Sequence, residues 1–327
     1  MGRIRVGTCS WTDKALVGSG WYPPGRRSAE GRLRFYASRF AVAEVDSTYY
    51  ALPQERNSRM WVERTPEGFR FDVKAFSLLT GHPTLARALP EDLRGELGGG
   101  RDRYGGGAPG GGRSGPARPE VLDEVWRRFA GALEPLRRAG RLGAVLFQFP
   151  PWFAPGARAA DHLRATRERT GDWSISVEFR HPAWWLPEHR ADTAALLTEL
   201  DTSAVAVDMA QGLPSSVPPV AEVTSPRLAV VRLHGRSSAW GSGSKEERFR
   251  HEYAPDELAE WIPRVRAMAE AAQEVHVLFN NCCADAAVRA AESMARLVAA
   301  EPVPEAVAVP RPRGQETLPG LPTDLAP

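Results

Sequence analysis

The chain has 327 residues, 43% of them hydrophobic and 25% charged, with a formal net charge of +2. That composition supplies a sizeable core and is too evenly charged to point to a nucleic-acid partner. No run approaches the roughly 18 uninterrupted apolar residues of a membrane span, and the opening Met1–Val6 lacks a leader's apolar stretch, so a cytoplasmic protein with no membrane contact is expected. Short apolar runs then alternate with segments of helical period, the pattern of repeated βα units around a parallel sheet. Strands are predicted at Ile4–Cys9, Val42–Ser47, Arg70–Ala75, Ala144–Phe149, Ser174–Phe179, Ala204–Asp208, Leu228–Leu233 and Val275–Phe279. These eight close a (β/α)8 TIM barrel, an α/β single domain over residues 1–300.

Apolar spacing of three and four marks the helices between them. Leu33, Tyr36, Ala37 and Phe40 mark the first, and Val121, Val125, Phe129, Leu133 and Leu136 the third. Leu258, Trp261, Ile262 and Val265 mark the seventh, in which Pro263 predicts a kink. Ala287, Ala291, Met294 and Val298 mark the last, while the link Met209–Arg227 is proline-rich and offers no helix. Gly98–Pro119 holds ten glycines, too little apolar surface to order itself, and reads as an insertion on the C-terminal rim, either a flap or inert. Residues 301–327 read as a disordered, proline-rich tail. Without these two stretches the remainder is close to the roughly 250 residues of a typical barrel.

Strand parity predicts the site. Alternate residues of a strand face opposite sides, and the polar set should line the barrel interior. Glu44 and Asp46 share one face of the second strand, and Asp72 and Lys74 one face of the third. Gln148 follows on the fourth, Ser176, Glu178 and Arg180 on the fifth, and Asp208, opposing Val207, on the sixth. Arg232 and His234 on the seventh and Asn280 after the eighth complete the set. Barrel active sites are built at the C-terminal strand ends, and buried carboxylates there need each other, water or a ligand.

The same residues carry a resemblance. Gly7–Trp11 (GTCSW), Phe35-Tyr36, Ala43–Tyr50 (AEVDSTYY), Phe69–Lys74 (FRFDVK) and Leu146–Pro151 (LFQFPP) resemble the YecE-like family. So do Val177–His181 (VEFRH), Val231–Arg236 (VRLHGR) and Phe279–Asn281 (FNN). This is a domain-of-unknown-function family, and the resemblance implies a TIM barrel of unestablished role. The sequence departs from its pattern with Asp46 in place of asparagine, Cys9-Ser10 in place of Ser-Gly, and the glycine-rich insertion.

General acid–base chemistry on a small polar or anionic substrate, of hydrolase or lyase type, is the leading expectation. Glu44, Asp46, Glu178 and Asp208 supply carboxylates, and His234 is expected to titrate near neutral pH. Lys74 is either a Schiff-base amine or, held protonated by those carboxylates, an ion-pairing group. Substrate contacts are expected from Trp11, Tyr49, Gln148, Arg180, His181, Arg232, Arg236, Lys245, Asn280 and Asn281. The seventh loop, with Arg236, Gly241, Gly243, Lys245, Arg248 and Arg250, is a candidate phosphate site. No cofactor is required; the carboxylates, His234 and Asn280 suit a hard divalent cation, although no HExxH or paired CxxC motif is present. Three cysteines, including the adjacent Cys282–Cys283, make no disulfide framework. The alternative class is a nucleic-acid-associated protein using Trp11, Trp21, Tyr22, Tyr49, Tyr50, Trp152, Trp184 and Trp185 for base stacking. Gln315–Leu318 with Leu321 loosely resembles a sliding-clamp-binding peptide.

Overall fold

Eight parallel strands close on themselves in a computed structural model of the chain, which describes residues 1–95, 103–104, 118–241, 243–281 and 283–300. The strands are β1 (Arg3–Thr8), β2 (Val42–Val45), β3 (Arg70–Lys74), β4 (Leu142–Phe149), β5 (Ile175–Phe179), β6 (Ser203–Asp208), β7 (Leu228–Leu233) and β8 (Glu274–Phe279). Each pairs with its sequence neighbours, and β1 closes the ring by pairing with β8 from Arg3↔Glu274 to Thr8↔Phe279. Strands covered on both faces need continuous apolar sequence, and β5, β6 and β7 are buried along their whole length.

The longer helices are α1 (Ala29–Arg39), α2 (Glu55–Glu63), α3 (Pro119–Arg138), α4 (Ala157–Thr170), α5 (Pro187–Glu199), α6 (Ile262–Ala271) and α7 (Ala286–Ala299). In α1, Ser28 accepts a hydrogen bond from Gly31 N and so caps the first turn, while Leu33, Tyr36 and Ala37 turn inward as their spacing predicts. In α3, Val121, Val125, Phe129, Leu133 and Leu136 form the buried stripe, and Pro119 occupies the first turn, where a missing N–H costs nothing.

Pro263 has a different effect from the kink expected of it. The helical stretch is split into Pro255–Ala259 and α6, and Pro263 sits in the first turn of α6, the position a proline tolerates best. The 209–227 link contains no helix, as expected. Most of the glycine-rich stretch lies outside the described residues; of it, Arg103–Tyr104 pairs antiparallel with Thr84–Leu85, tying the excursion between β3 and α3 at its root. The tail 301–327, with its clamp-peptide resemblance, and Cys282 also lie outside the described residues.

A charged cluster fills the N-terminal end of the barrel interior. His276 Nδ1 lies 2.8 Å from Asp72 Oδ2, and its Nε2 lies 3.1 Å from Glu274 Oε2. Arg5 donates to both oxygens of Glu274 at 3.1 and 3.2 Å and to Gly68 O at 2.8 Å. Gly143 is required here, because a Cβ on it would lie 2.3 Å from Asp72 Oδ1. Burial works against the His276 charge, but Asp72 and Glu274 outweigh it and raise its pKa to about 9. Asp72 therefore turns away from the mouth at which parity grouped it with Lys74, because its ring partner His276 enters from the third position of β8.

Candidate functional site at the C-terminal barrel mouth

Arg232 of β7 occupies the centre of the upper barrel. Its Nε and Nη2 donate to Glu44 of β2 at 2.9 and 2.7 Å, and its Nη1 donates to Glu178 of β5. Cys9 Sγ lies 3.6 Å from Nη2. Arg232 is 1% exposed and both carboxylates 0%, so the three charges compensate one another in place of water. Desolvation opposes the Arg232 charge, yet Glu178 and Glu44 overcome it and hold the guanidinium firmly protonated. Burial raises Glu44, and Arg232 and Lys74 offset this only in part. Burial also works against Glu178, but Arg232, His234 and Arg180 overcome it and hold it well below the usual carboxylate range. The two carboxylates are thus pushed apart, and Glu44 is the more easily protonated.

Glu178 is saturated with donors. Its Oε1 accepts from Gln148 Nε2 at 2.7 Å and from Arg180 Nη1 at 3.1 Å, lies 3.1 Å from His234 Nε2, and its Oε2 accepts from Arg232. Such a carboxylate, buried and held ionised by four partners, orients its neighbours and is a poor acceptor for a substrate proton. His234 is equally committed. Asn280 Nδ2 lies 2.9 Å from His234 Nδ1, which fixes the neutral ring with Nε2–H directed to Glu178. Burial is the main cause that pushes His234 down to about 4, so it does not titrate near neutrality as expected from sequence. Trp240 and Phe249 cover the ring, with centroids 5.9 and 6.5 Å away.

Lys74 and Arg180 lie above this floor and remain partly open to solvent. Lys74 Nζ donates to Gln148 Oε1 at 2.8 Å and sits 4.5 Å from the Tyr49 ring centroid. The sequence suggested that carboxylates would hold this amine protonated. Instead its close partner is a neutral amide, and desolvation together with Arg232 outweighs Glu44, Glu178 and Asp46, lowering Lys74 to about 8. Arg180 lies 5.3 Å from the Trp240 ring centroid, with its side chain 21% exposed. Asp46 follows β2, half-buried at the edge of the mouth.

Other residues expected at the site lie elsewhere. Asp208 pairs in register with Leu233, not with Arg232, so it belongs to the outward parity of its strand. There it accepts hydrogen bonds from Arg236 Nη2, Tyr253 Oη and Trp261 Nε1, each at 2.7 Å. Arg236 is held outside the mouth by Asp208 and by Glu260 at 2.8 Å. Trp11 is buried in the layer between sheet and helices, against Trp61 and Phe71. His181 Nδ1 caps a short 3-10 turn by accepting from Ala183 N at 3.2 Å. Asn281 is fully buried and donates to His251 O at 2.8 Å. Lys245 opens the short helix Lys245–Arg248, and its side chain lies outside the described residues. A Ser244–Glu247 capping box occupies the N–H groups of Ser244 and Glu247 at that helix start.

Of the aromatics weighed as base-stacking groups, Trp11, Tyr22, Trp184 and Trp185 are buried. Trp184 stacks face to face on Phe179 at 4.0 Å and donates to Phe153 O at 2.7 Å. Among the described residues no three His, Cys, Asp or Glu side chains gather as a metal centre, and none of the helices is long and apolar enough to cross a membrane. The residues missed from sequence are His82, Trp240, Tyr253, Trp261, Arg5 and His276. Extending the inward parity of β1 and β8 finds Arg5 and His276; His82 and Tyr253 sit in loops, Trp240 in a 3-10 turn, and the period that marked Trp261 did not reveal its bond to Asp208.

A closed eight-stranded parallel barrel with a charged cluster at its C-terminal mouth defines a TIM-barrel protein. The chain belongs to the family described as protein of unknown function DUF72, which it matches over residues 5–315. It is 30% identical over 284 residues to the UPF0759 protein YunF of Bacillus subtilis, covering 85% of this chain and 88% of that protein. A DUF72 family protein of Enterococcus faecalis V583 superposes with a TM-score of 0.70 at 25% identity, covering 92% of this chain and 99% of that one. One from Thermotoga maritima MSB8 also gives 0.70 at 25% identity, covering 90% and 99%. These relatives agree with the fold and with a family of unknown function, as the motifs imply.

Proposed function

We propose that the chain is an enzyme acting on a small anionic substrate at the barrel mouth, with Lys74 carrying a proton and Arg180 holding the anion. The observation that carries this reading is a division by depth. The carboxylates Glu44 and Glu178 are withdrawn from solvent, while the cations Lys74 and Arg180 above them keep access to it. Arg180 spends Nη1 on Glu178, and its Nε and Nη2 have no partner among the described residues, which suits a planar carboxylate or a phosphate.

An amine lowered to about 8 is mostly protonated at neutral pH and still releases its proton within the working range of an enzyme. Lys74 would protonate the departing oxygen as its bond breaks, and the free amine would regain a proton from the water that adds to the substrate. Gln148 fixes the Nζ position through its own bond to Glu178. Glu44, Arg232, Glu178, His234 and Asn280 form a preorganised floor that costs no reorganisation during the reaction.

The test is incubation of the purified chain with pools of small carboxylates and phosphate esters, followed by mass spectrometry. Consumption by the wild type that is lost in Lys74→Met, with a raised KM in Arg180→Gln, is the expected result. Saturable anion binding with no turnover in any pool between about pH 6 and 9 overturns the enzyme in favour of a binding protein.

A further inference from the structure

The loop after β3 brings a further titratable side chain to the wall that holds Lys74. The Tyr49 ring carries the Lys74 ammonium 4.5 Å from its centroid and meets the His82 ring edge to face at 5.2 Å. Trp152 closes on the other side of His82, with centroids 6.0 Å apart. Burial first, then the charges of Lys74 and Arg180, lower His82 to about 4, so the ring is neutral at physiological pH and lies within reach of both cations' fields.

Thr80 Oγ1 lies 3.1 Å from Ser77 O and 2.8 Å from His82 Nδ1, and its one proton serves one of the two. With that proton on Ser77 O, the ring proton sits on Nδ1, facing the hydroxyl oxygen. Nε2, which has no partner among the described residues, is then a bare lone pair. A neutral imidazole in this state accepts a hydrogen bond and repels no cation. It does not suit the anionic group of a ligand, which Arg180 suits; it suits a hydroxyl. Tyr49 and Trp152, both partly exposed, add aromatic surface of the kind that packs against the C–H faces of a carbohydrate.

We infer that His82 is a third ligand-binding group of this mouth, accepting a hydrogen bond from a substrate hydroxyl, and that the substrate class is a polyhydroxylated anion of the sugar-phosphate or sugar-acid type. This rests on the reading of Arg180 as the group that holds the anion beside the proton carrier Lys74, and adds the group that selects among anions.

Calorimetry with inorganic phosphate, glucose 6-phosphate, hexanoate, gluconate and glucose separates the possibilities. Glucose 6-phosphate and gluconate should bind about tenfold more tightly than phosphate and hexanoate, the worth of one good hydrogen bond. Which of the two binds better identifies the anionic group. His82→Ala should bring the hydroxylated anions down to their plain counterparts and leave those unchanged. His82→Gln, whose amide oxygen can accept, should restore part of the preference. Equal weakening of all anions in His82→Ala, or no change, overturns the role of His82 and leaves the anion site standing. If no anion binds the wild type, both readings fall together. A long-range proton–nitrogen NMR spectrum checks the tautomer without any ligand, and a proton found on Nε2 with Nδ1 bare overturns the inference.

Discussion

Arg232 meets Glu44 edge-on across the barrel interior, Nε to Oε2 at 2.9 Å and Nη2 to Oε1 at 2.7 Å, joining β7 to β2 through a planar fork. Lysine cannot reproduce that geometry. With Nη1 given to Glu178, a single guanidinium neutralises two fully buried carboxylates. Arg232→Met should therefore cost about 3–5 kcal/mol, because it strands two charges without solvent. Urea unfolding at neutral pH measures it, and a loss below about 1 kcal/mol would mean that water enters this layer.

Lys74 should titrate with a midpoint of about 8, measured from the pH dependence of competitive acetylation at that residue. Glu44 raises the Lys74 pKa. Glu44→Gln removes that support, so the midpoint should fall. A midpoint unchanged from an exposed lysine would show that desolvation does not govern the amine.

His276 gives the fold a dependence on alkaline pH. Its pKa is about 9 in the folded chain against an ordinary 6.5, so between these values the native state binds more protons than the unfolded one. Stability from this group is complete below pH 6.5 and is lost as pH rises through about 9. In His276→Gln the unfolding free energy should decline less over that window than in the wild type. An identical slope in the two proteins counts against a charged imidazole between Asp72 and Glu274.

Asp208 anchors the seventh loop by accepting from Arg236, Tyr253 and Trp261. Asp208→Asn places an amide donor among donors and should cost about 1–3 kcal/mol. Its more specific effect should be local. Trypsin should cut at Arg236, Arg248 or Arg250 faster in the variant, and unchanged cleavage there would contradict an anchoring role.

Barrel and mouth differ in how far they could be read from sequence. The strands were legible because a parallel sheet covered on both faces demands runs such as Ile175–Phe179 and Leu228–Leu233, which little else produces. Parity then located Glu44, Lys74, Gln148, Glu178, Arg232 and His234, since alternation survives to the end of a strand. It failed at Asp208, where the choice between facing Arg232 and facing Leu233 depends on register with β7 and not on the strand itself. It also could not tell that His234 and Glu178 would be saturated, because that depends on partners from β4, β5 and the end of β8 meeting in space. His82 was invisible for another reason: it lies in a loop, and its ring is held by the Thr80 hydroxyl, two residues away.

The lower cluster of Arg5, Asp72, Glu274 and His276 and the upper one of Arg232, Glu44 and Glu178 share no hydrogen-bonding residue among the described contacts. Leu146 and Leu278, both 1% exposed, hold the intervening inward positions of β4 and β8. Substitutions in separate networks combine nearly independently. A lineage can therefore rewrite the top of this barrel for a new catalyst while inheriting, unaltered, the fastening that keeps its base closed.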